Sequence, residues 1–255
     1  MKTLVFSDVH LNVAPDGRAL MGRLTAFLRS IDPTAYNRLV ILGDLFDFWF
    51  EYRTVIFSGY FNVLRALASL RDAGVEIHFV RGNHDFWAGR FLETDLGIHL
   101  HDRLVIEMGG RRVLFVHGDG INPSDTSYRL YKKVARSPWV VSLFRLLHPD
   151  WAMGIAQGVA RGSRHMFQAK DLSQGSEVGP LREFAKRTLA AGDADVVFLG
   201  HTHYPVMETY PTPRGTGLYI NTGDWLYHQS YVEWDGTEFH LLFHGKEAAP
   251  LPGAR

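Results

Sequence analysis

The chain has 255 residues, 46% of them apolar, enough to bury a sizeable core in one large domain or in one domain with a small insertion. Lysine plus arginine and aspartate plus glutamate both number 27, so no global field points to nucleic acid, and the lack of cysteine excludes disulfides and thiolate metal sites. No apolar stretch approaches the roughly 18 residues of a membrane span, and Asp8 ends the N-terminal apolar run too early for a secretory signal.

In chain order, the first apolar run, Leu4 to Phe6, enters Ser7-Asp8-Val9-His10. A helix is expected over 17–30, where Leu20, Leu24, Phe27 and Leu28 recur at helical spacing. Residues 39–42 (LVIL) enter Gly43-Asp44, and a second helix is expected over 56–73, stopped by Gly74 as a C-cap. Residues 77–80 (IHFV) enter Arg81-Gly82-Asn83-His84-Asp85, and 113–116 (VLFV) enter His117-Gly118-Asp119. From Pro123 to Lys170 the rhythm breaks into two or three amphipathic helices, interrupted at Pro138 and His148-Pro149. A helix over 178–191 precedes 196–199 (VVFL), which enters Gly200-His201-Thr202-His203. Short strands follow over 218–221, 230–234 and 238–243, the last two joined across the hairpin dipeptide Asp235-Gly236.

Strands alternating with helices predict an α/β fold of two sheets flanked by helices. The expected division is a core of 1–122 and 171–246, a helical cap or lid over 123–170, and a loose tail over 247–255.

All five polar clusters fall at strand ends, where open α/β sheets bind ligands. They supply Asp8, His10, Asp44, Asn83, His117, His201 and His203, a set of oxygen and imidazole donors that suits Mn, Fe, Co, Ni or Zn better than Ca or Mg. Seven donors are too many for one tetrahedral ion and suit two ions sharing a carboxylate, for which Asp44 is the natural candidate. Residues two apart in an extended segment point the same way, so Asp8 with His10, and His201 with His203, can each address one site. His84 is a candidate catalytic donor to phosphate, and Asp85 or Asp47 a candidate to orient a histidine.

As an ordered set, Asp8-x-His10, Gly43-Asp44, Gly82-Asn83-His84-Asp85, His117-Gly118-Asp119 and Gly200-His201-Thr202-His203 resembles the calcineurin-like metallophosphoesterases. The resemblance spans residues 8 to 203 and implies a four-layer α/β/β/α sandwich. It also implies Asp8, His10, Asp44 and His203 on one ion, and Asp44, Asn83, His117 and His201 on the other. Within that superfamily the chain looks most like the UDP-2,3-diacylglucosamine diphosphatases of lipid A synthesis. The likeness rests on Leu42-Gly43-Asp44-Leu45-Phe46 before an aromatic stretch, on Asp125 and Tyr128 after His117-Gly118-Asp119, and on the helical insertion with Ser163 and Lys170. The expected substrate contacts are Asn83, His84, Asp125, Tyr128, Arg161, Ser163, Arg164, Lys170 and His201, and Mn²⁺ is the expected metal. The chain departs from the group at His84, where its better-known enzymes have Arg, and at Phe167, where an Asn is expected.

The insertion carries its own signal. Between Thr126 and Lys170, eight basic residues, Arg161 and Arg164 among them, stand against Asp150 alone, a local net charge of +7 interleaved with tryptophan, leucine and phenylalanine. A basic amphipathic helix pair can lie on an anionic membrane surface or cover a substrate with phosphate at one end and acyl chains at the other. A solvated basic lid over an apolar underside is the plainer reading. The aromatic run Phe46 to Tyr52 reads as a pocket wall or core, and His78, His99, His148, His228, His240 and His244 as structural.

The expectation is a cytoplasmic hydrolase, peripheral on the inner membrane, that cleaves the pyrophosphate of an acylated sugar nucleotide, with no nucleic-acid or obligate protein partner. A phosphatase or phosphodiesterase acting on a soluble nucleotide or phosphoprotein is one rival, and a non-catalytic metal-binding scaffold another.

Overall fold

A computed structural model describes residues 1–123, 126–155, 158 and 177–245, without the side chains of residues 127–129 and 131. Its first sheet has the strand order β11-β10-β1-β2-β3-β4. These strands are β1 (Lys2–Phe6), β2 (Tyr36–Ile41), β3 (Glu76–Val80), β4 (His99–His101), β10 (Ser230–Trp234) and β11 (Phe239–Phe243). β1 to β4 run parallel, and β10 and β11 close one side as the hairpin expected at Asp235-Gly236. The second sheet has the order β5-β6-β7-β9-β8, from β5 (Leu104–Met108), β6 (Arg111–Phe115), β7 (Val196–Leu199), β8 (Val206–Thr212) and β9 (Gly215–Asn221). In it β6, β7 and β9 are parallel.

Alternate residues of a strand face opposite layers, and the core divides accordingly. Leu39 and Ile41 of β2 face outward with Leu24, Leu28, Leu64 and Leu67 of the helices α1 (Arg18–Ser30) and α2 (Phe61–Asp72). Val40 of the same strand faces the second sheet, where it joins Val5, Val113, Phe115 and Phe198. Leu114 and Val197 face the far side and meet Leu181, Ala185 and Leu189 of α5 (Val178–Ala190). The layers are therefore helix, sheet, sheet, helix, as the pattern of apolar runs predicts. No helix among the described residues is long and apolar enough to cross a membrane.

In the insertion, α3 (Thr126–Ala135) and α4 (Pro138–Phe144) are helical, and so are residues 149–155. Pro138 stands at the first turn of α4 behind the N-cap Ser137, whose hydroxyl accepts from Val140 N. Proline thus begins a helix here rather than interrupting one. The insertion is docked on the core: Trp87 donates its indole N–H to the Ala135 carbonyl at 3.1 Å, Lys132 pairs with Asp119, and Phe144 packs against Phe48, Phe50 and Trp87.

Strands β4, β5 and β8 are additional to those expected. β4 is only three residues long, and β8 is an edge strand that contains Pro211, so neither shows a clean apolar run.

Candidate metal centre

The loops after β1, β2, β3, β6 and β7 converge on one cluster because those strands are parallel within their sheets and end on the same side. The carboxylate and imidazole donors fall into adjoining groups: Asp8 with His10 and His203, His10 with Asp44 and His84, and Asp44 with His117 and His201. On one side His10 Nε2 and His203 Nε2 are 3.1 Å apart, with Asp8 Oδ1 at 3.9 Å and 3.5 Å from them. On the other, Asn83 Oδ1 lies 3.2 Å from His117 Nε2 and 3.0 Å from His201 Nδ1. Asp44 joins the two sides, since its Oδ2 is 3.8 Å from His10 Nε2 and 3.3 Å from His117 Nε2. All seven residues singled out from the strand ends are thus in one place.

Local backbone makes the convergence possible. Asp8, His10, Asp44, His201 and His203 have φ between 51° and 67°, the left-handed region that side chains with a Cβ disfavour. Each costs on the order of 1–3 kcal/mol, and such residues cluster where a site requires them. Two glycines permit the close approach of neighbouring loops. A Cβ on Gly82 would lie 2.1 Å from Asp44 Oδ1, and one on Gly200 would lie 2.6 Å from Asp8 Oδ2. Asp85, fully buried, accepts from the N–H groups of Gly82, Asp44 and Leu45 at 2.9, 3.3 and 2.8 Å, so it fastens the β2 and β3 loops together rather than orienting a histidine. The orienting role falls to Asp47, whose Oδ1 is 3.7 Å from His10 Nδ1 and 3.8 Å from His84 Nδ1.

Partners fix which nitrogen faces the cluster. His117 Nδ1 donates to the Leu42 carbonyl at 2.8 Å, leaving Nε2 for Asp44 and Asn83. His84 Nδ1 donates to the Asp47 carbonyl at 2.9 Å, leaving Nε2 as the nitrogen for an incoming group. Beneath His203, Asp224 Oδ2 stands 3.7 Å from Nδ1 and 3.2 Å from His228 Nδ1, while Asp224 Oδ1 accepts from the N–H groups of Tyr227 and His228. Asn221 donates to the Gly200 carbonyl and to Thr202 Oγ1, supporting the turn that carries His201 and His203. These supports follow β9 in sequence, and Asn221-Thr222-Gly223-Asp224 is a sixth polar cluster at a strand end, the same signal as the other five. His228, read as structural, supports the site at one remove.

The charges show why the cluster suits cations. Burial opposes ionisation of Asp44, but His117, His84 and His10 outweigh it and hold the carboxyl well below the usual range. Burial likewise opposes charge on His10, yet Asp47 and the Asp44 and Asp8 carboxylates raise it to about 9, and His117 is raised well above its ordinary value by Asp44. Burial lowers His201 to about 4 and His203 to about 3, so both are neutral and able to ligate. Without an ion, protons on His10 and His117 balance the buried carboxylates. Neutral imidazoles, an amide oxygen and carboxylates, each within 4 Å of a neighbouring donor, are the donor set of divalent transition metals.

Metal binding must then expel those protons. A histidine raised to about 9 is protonated at neutral pH and competes with the ion, so apparent affinity is expected to fall by up to about tenfold per pH unit below that value for each such histidine. Calorimetric titration with Mn²⁺ in two buffers of different ionisation enthalpy should show one to two protons released per chain. A proton count of zero would contradict this electrostatic account.

Of the remaining substrate candidates, Asp125, Arg161, Ser163, Arg164 and Lys170 lie outside the described residues, as does the side chain of Tyr128.

The family model for calcineurin-like phosphoesterases matches residues 1–205. The chain is 34% identical to a UDP-2,3-diacylglucosamine hydrolase of Porphyromonas gingivalis, across 92% of this chain and 94% of that one. It is 31% identical to one of Photorhabdus laumondii, across 90% and 92%. Among solved structures, Vacuolar Protein Sorting 29 of Cryptosporidium parvum aligns over 96% of this chain and 93% of its own, with 14% identity and a TM-score of 0.46.

Proposed function

The chain belongs to the calcineurin-like phosphoesterase family, a family of metal-dependent hydrolases, and on that basis we propose that it cleaves the pyrophosphate of UDP-2,3-diacylglucosamine into UMP and 2,3-diacylglucosamine 1-phosphate, a step of lipid A biosynthesis. The observation that carries the reading is the position of Asp44 Oδ2 between His10 and His117, which makes one carboxylate common to two donor clusters. Asp8, His10, Asp44 and His203 would hold one divalent ion, and Asp44, Asn83, His117 and His201 the other, with Mn²⁺ the proposed metal.

When bound, a pair of divalent ions supplies Lewis-acid activation of water and neutralises charge developing on phosphoryl oxygens. The protein's own part is to hold the reacting groups still. His84, partly exposed beside His10 and pinned through Nδ1, offers Nε2 to a phosphate oxygen or to the departing phosphate. Asp47 keeps His10 and His84 in place from behind.

Residues 123–170 form the proposed cap over this centre. Val141 and Phe144 of α4 pack on the core, whereas Trp139 and Leu143 on the same helix are 86% and 67% exposed. Leu130, Val134, Leu146 and Trp151 are exposed as well. An exposed apolar face beside basic residues supports peripheral contact with the anionic cytoplasmic face of the inner membrane.

The test is product analysis. Incubation of the Mn²⁺-loaded protein with UDP-2,3-diacylglucosamine should yield UMP and the acylated sugar 1-phosphate by mass spectrometry. Turnover of a chromogenic phosphodiester without cleavage of the acylated sugar nucleotide would sink the substrate assignment and leave only the hydrolase.

A further inference from the structure

Beside the metal centre, and sharing none of its donors, two hollows of about 810 and 770 Å³ meet along residues Tyr52–Val55 and Arg145. They differ in chemistry. The first is lined by Arg53, Arg90 and Arg145 over an aromatic floor of Phe50, Trp87 and Phe91. The second is lined by Trp139, Leu143, Leu146, Leu147 and Pro149 of the cap. No ion pair engages any of the three arginines among the described residues. Two acidic residues share the first hollow. Glu51 is already engaged, its carboxylate accepting from Trp49 Nε1, Gly89 N and Phe91 N at 3.2, 2.8 and 2.8 Å, and Asp95 is the other. Tyr52 lines both hollows.

We infer that this paired cavity is a binding site for a single anionic phospholipid, its phosphate among the arginines and its acyl chain in the leucine- and tryptophan-lined hollow. Guanidinium groups bind phosphate oxygens through paired N–H donors. A small soluble anion such as a nucleotide would leave the second hollow unfilled, and a neutral lipid would leave the arginines without a counter-charge. Trp139, Leu143 and Leu146 line the second hollow and are also the most exposed apolar residues of α4 and its C-terminal end, which sets the mouth of the site at the face proposed above to meet the membrane. The inference rests on that membrane reading and adds selectivity for the head group.

The experiment uses the full-length, metal-loaded protein and dioctanoyl phosphatidylglycerol below its micellar concentration, titrated calorimetrically. Saturable one-to-one binding is expected, at least about tenfold tighter than for dioctanoyl phosphatidylcholine. The Arg53→Glu/Arg145→Glu variant should lose at least about tenfold of that affinity, in line with the value of a basic residue at an anionic lipid surface. It should retain wild-type turnover of a small chromogenic phosphodiester, which also reports that it is folded. Equal binding of the two lipids, or undiminished phosphatidylglycerol binding by the variant, would overturn the site. A raised KM for the acylated sugar nucleotide without phosphatidylglycerol binding would assign the cavity to substrate and overturn it too. Co-sedimentation with phosphatidylcholine vesicles keeps the two readings apart. Attachment through the apolar face alone persists there even if the head-group site does not exist.

Discussion

Replacing Asp44 with Asn is expected to lower turnover of the acylated sugar nucleotide roughly 10³–10⁴-fold and to reduce bound metal from two ions per chain to one or none. The magnitude follows from the several kcal/mol that metal-assisted charge stabilisation contributes, at about 1.4 kcal/mol per tenfold in rate. The cause is geometric. Asp44 Oδ2 lies within 4 Å of imidazole nitrogens on both sides, and Asp44 Oδ1 accepts the His84 N–H at 2.9 Å. An amide in its place removes the negative charge that His10 and His117 answer, and turns one of the two oxygens into a donor. Elemental analysis together with steady-state kinetics checks both halves of the expectation. A variant that keeps two ions would show that the clusters are independent.

Replacing His84 with Ala should separate catalysis from metal binding. The expected loss in kcat is roughly 10²–10⁴-fold, the usual contribution of a positioned proton donor, with both ions retained. His84 lies close enough to His10 and Asp44 that its nitrogen could instead serve as a donor to metal, so the metal content of the variant decides between the roles. Loss of an ion together with activity would make His84 a ligand, and unchanged turnover with two ions would make it structural. A substrate with a more acidic leaving group needs less help from a proton donor, so the variant should recover part of its rate on such an ester.

Most of the architecture is legible in the sequence because buried parallel strands must be continuous apolar runs, and Leu39 to Leu42 or Val196 to Leu199 have few other ways to read. Each such run gives way to a polar cluster containing a histidine or an aspartate, so the strand ends announce the site as well. The left-handed conformations of Asp8, His10 and Asp44 are not legible, since nothing in those residue types demands a positive φ. The roles of Asp224 and Asn221 are hidden for a different reason. They stand in a polar cluster that ends a strand, as the ligands do, but they reach the centre through His203 and the Gly200 turn, and residue type alone does not separate such a support from a ligand. The insertion is the hardest part to read. Its helix α4 half-buries Val141 and Phe144 on one side and exposes Trp139 and Leu143 on the other, a distribution that apolar periodicity alone does not separate.

Asp85 never faces the reaction, yet its carboxylate is tied to the backbone of Gly82, Asp44 and Leu45 by bonds that do not run through an ion. The socket is thus pre-cast by peptide N–H groups rather than moulded by its contents. Chelation should leave the two loops in register, and a stripped enzyme should reload quickly on addition of metal, with no refolding step to wait for.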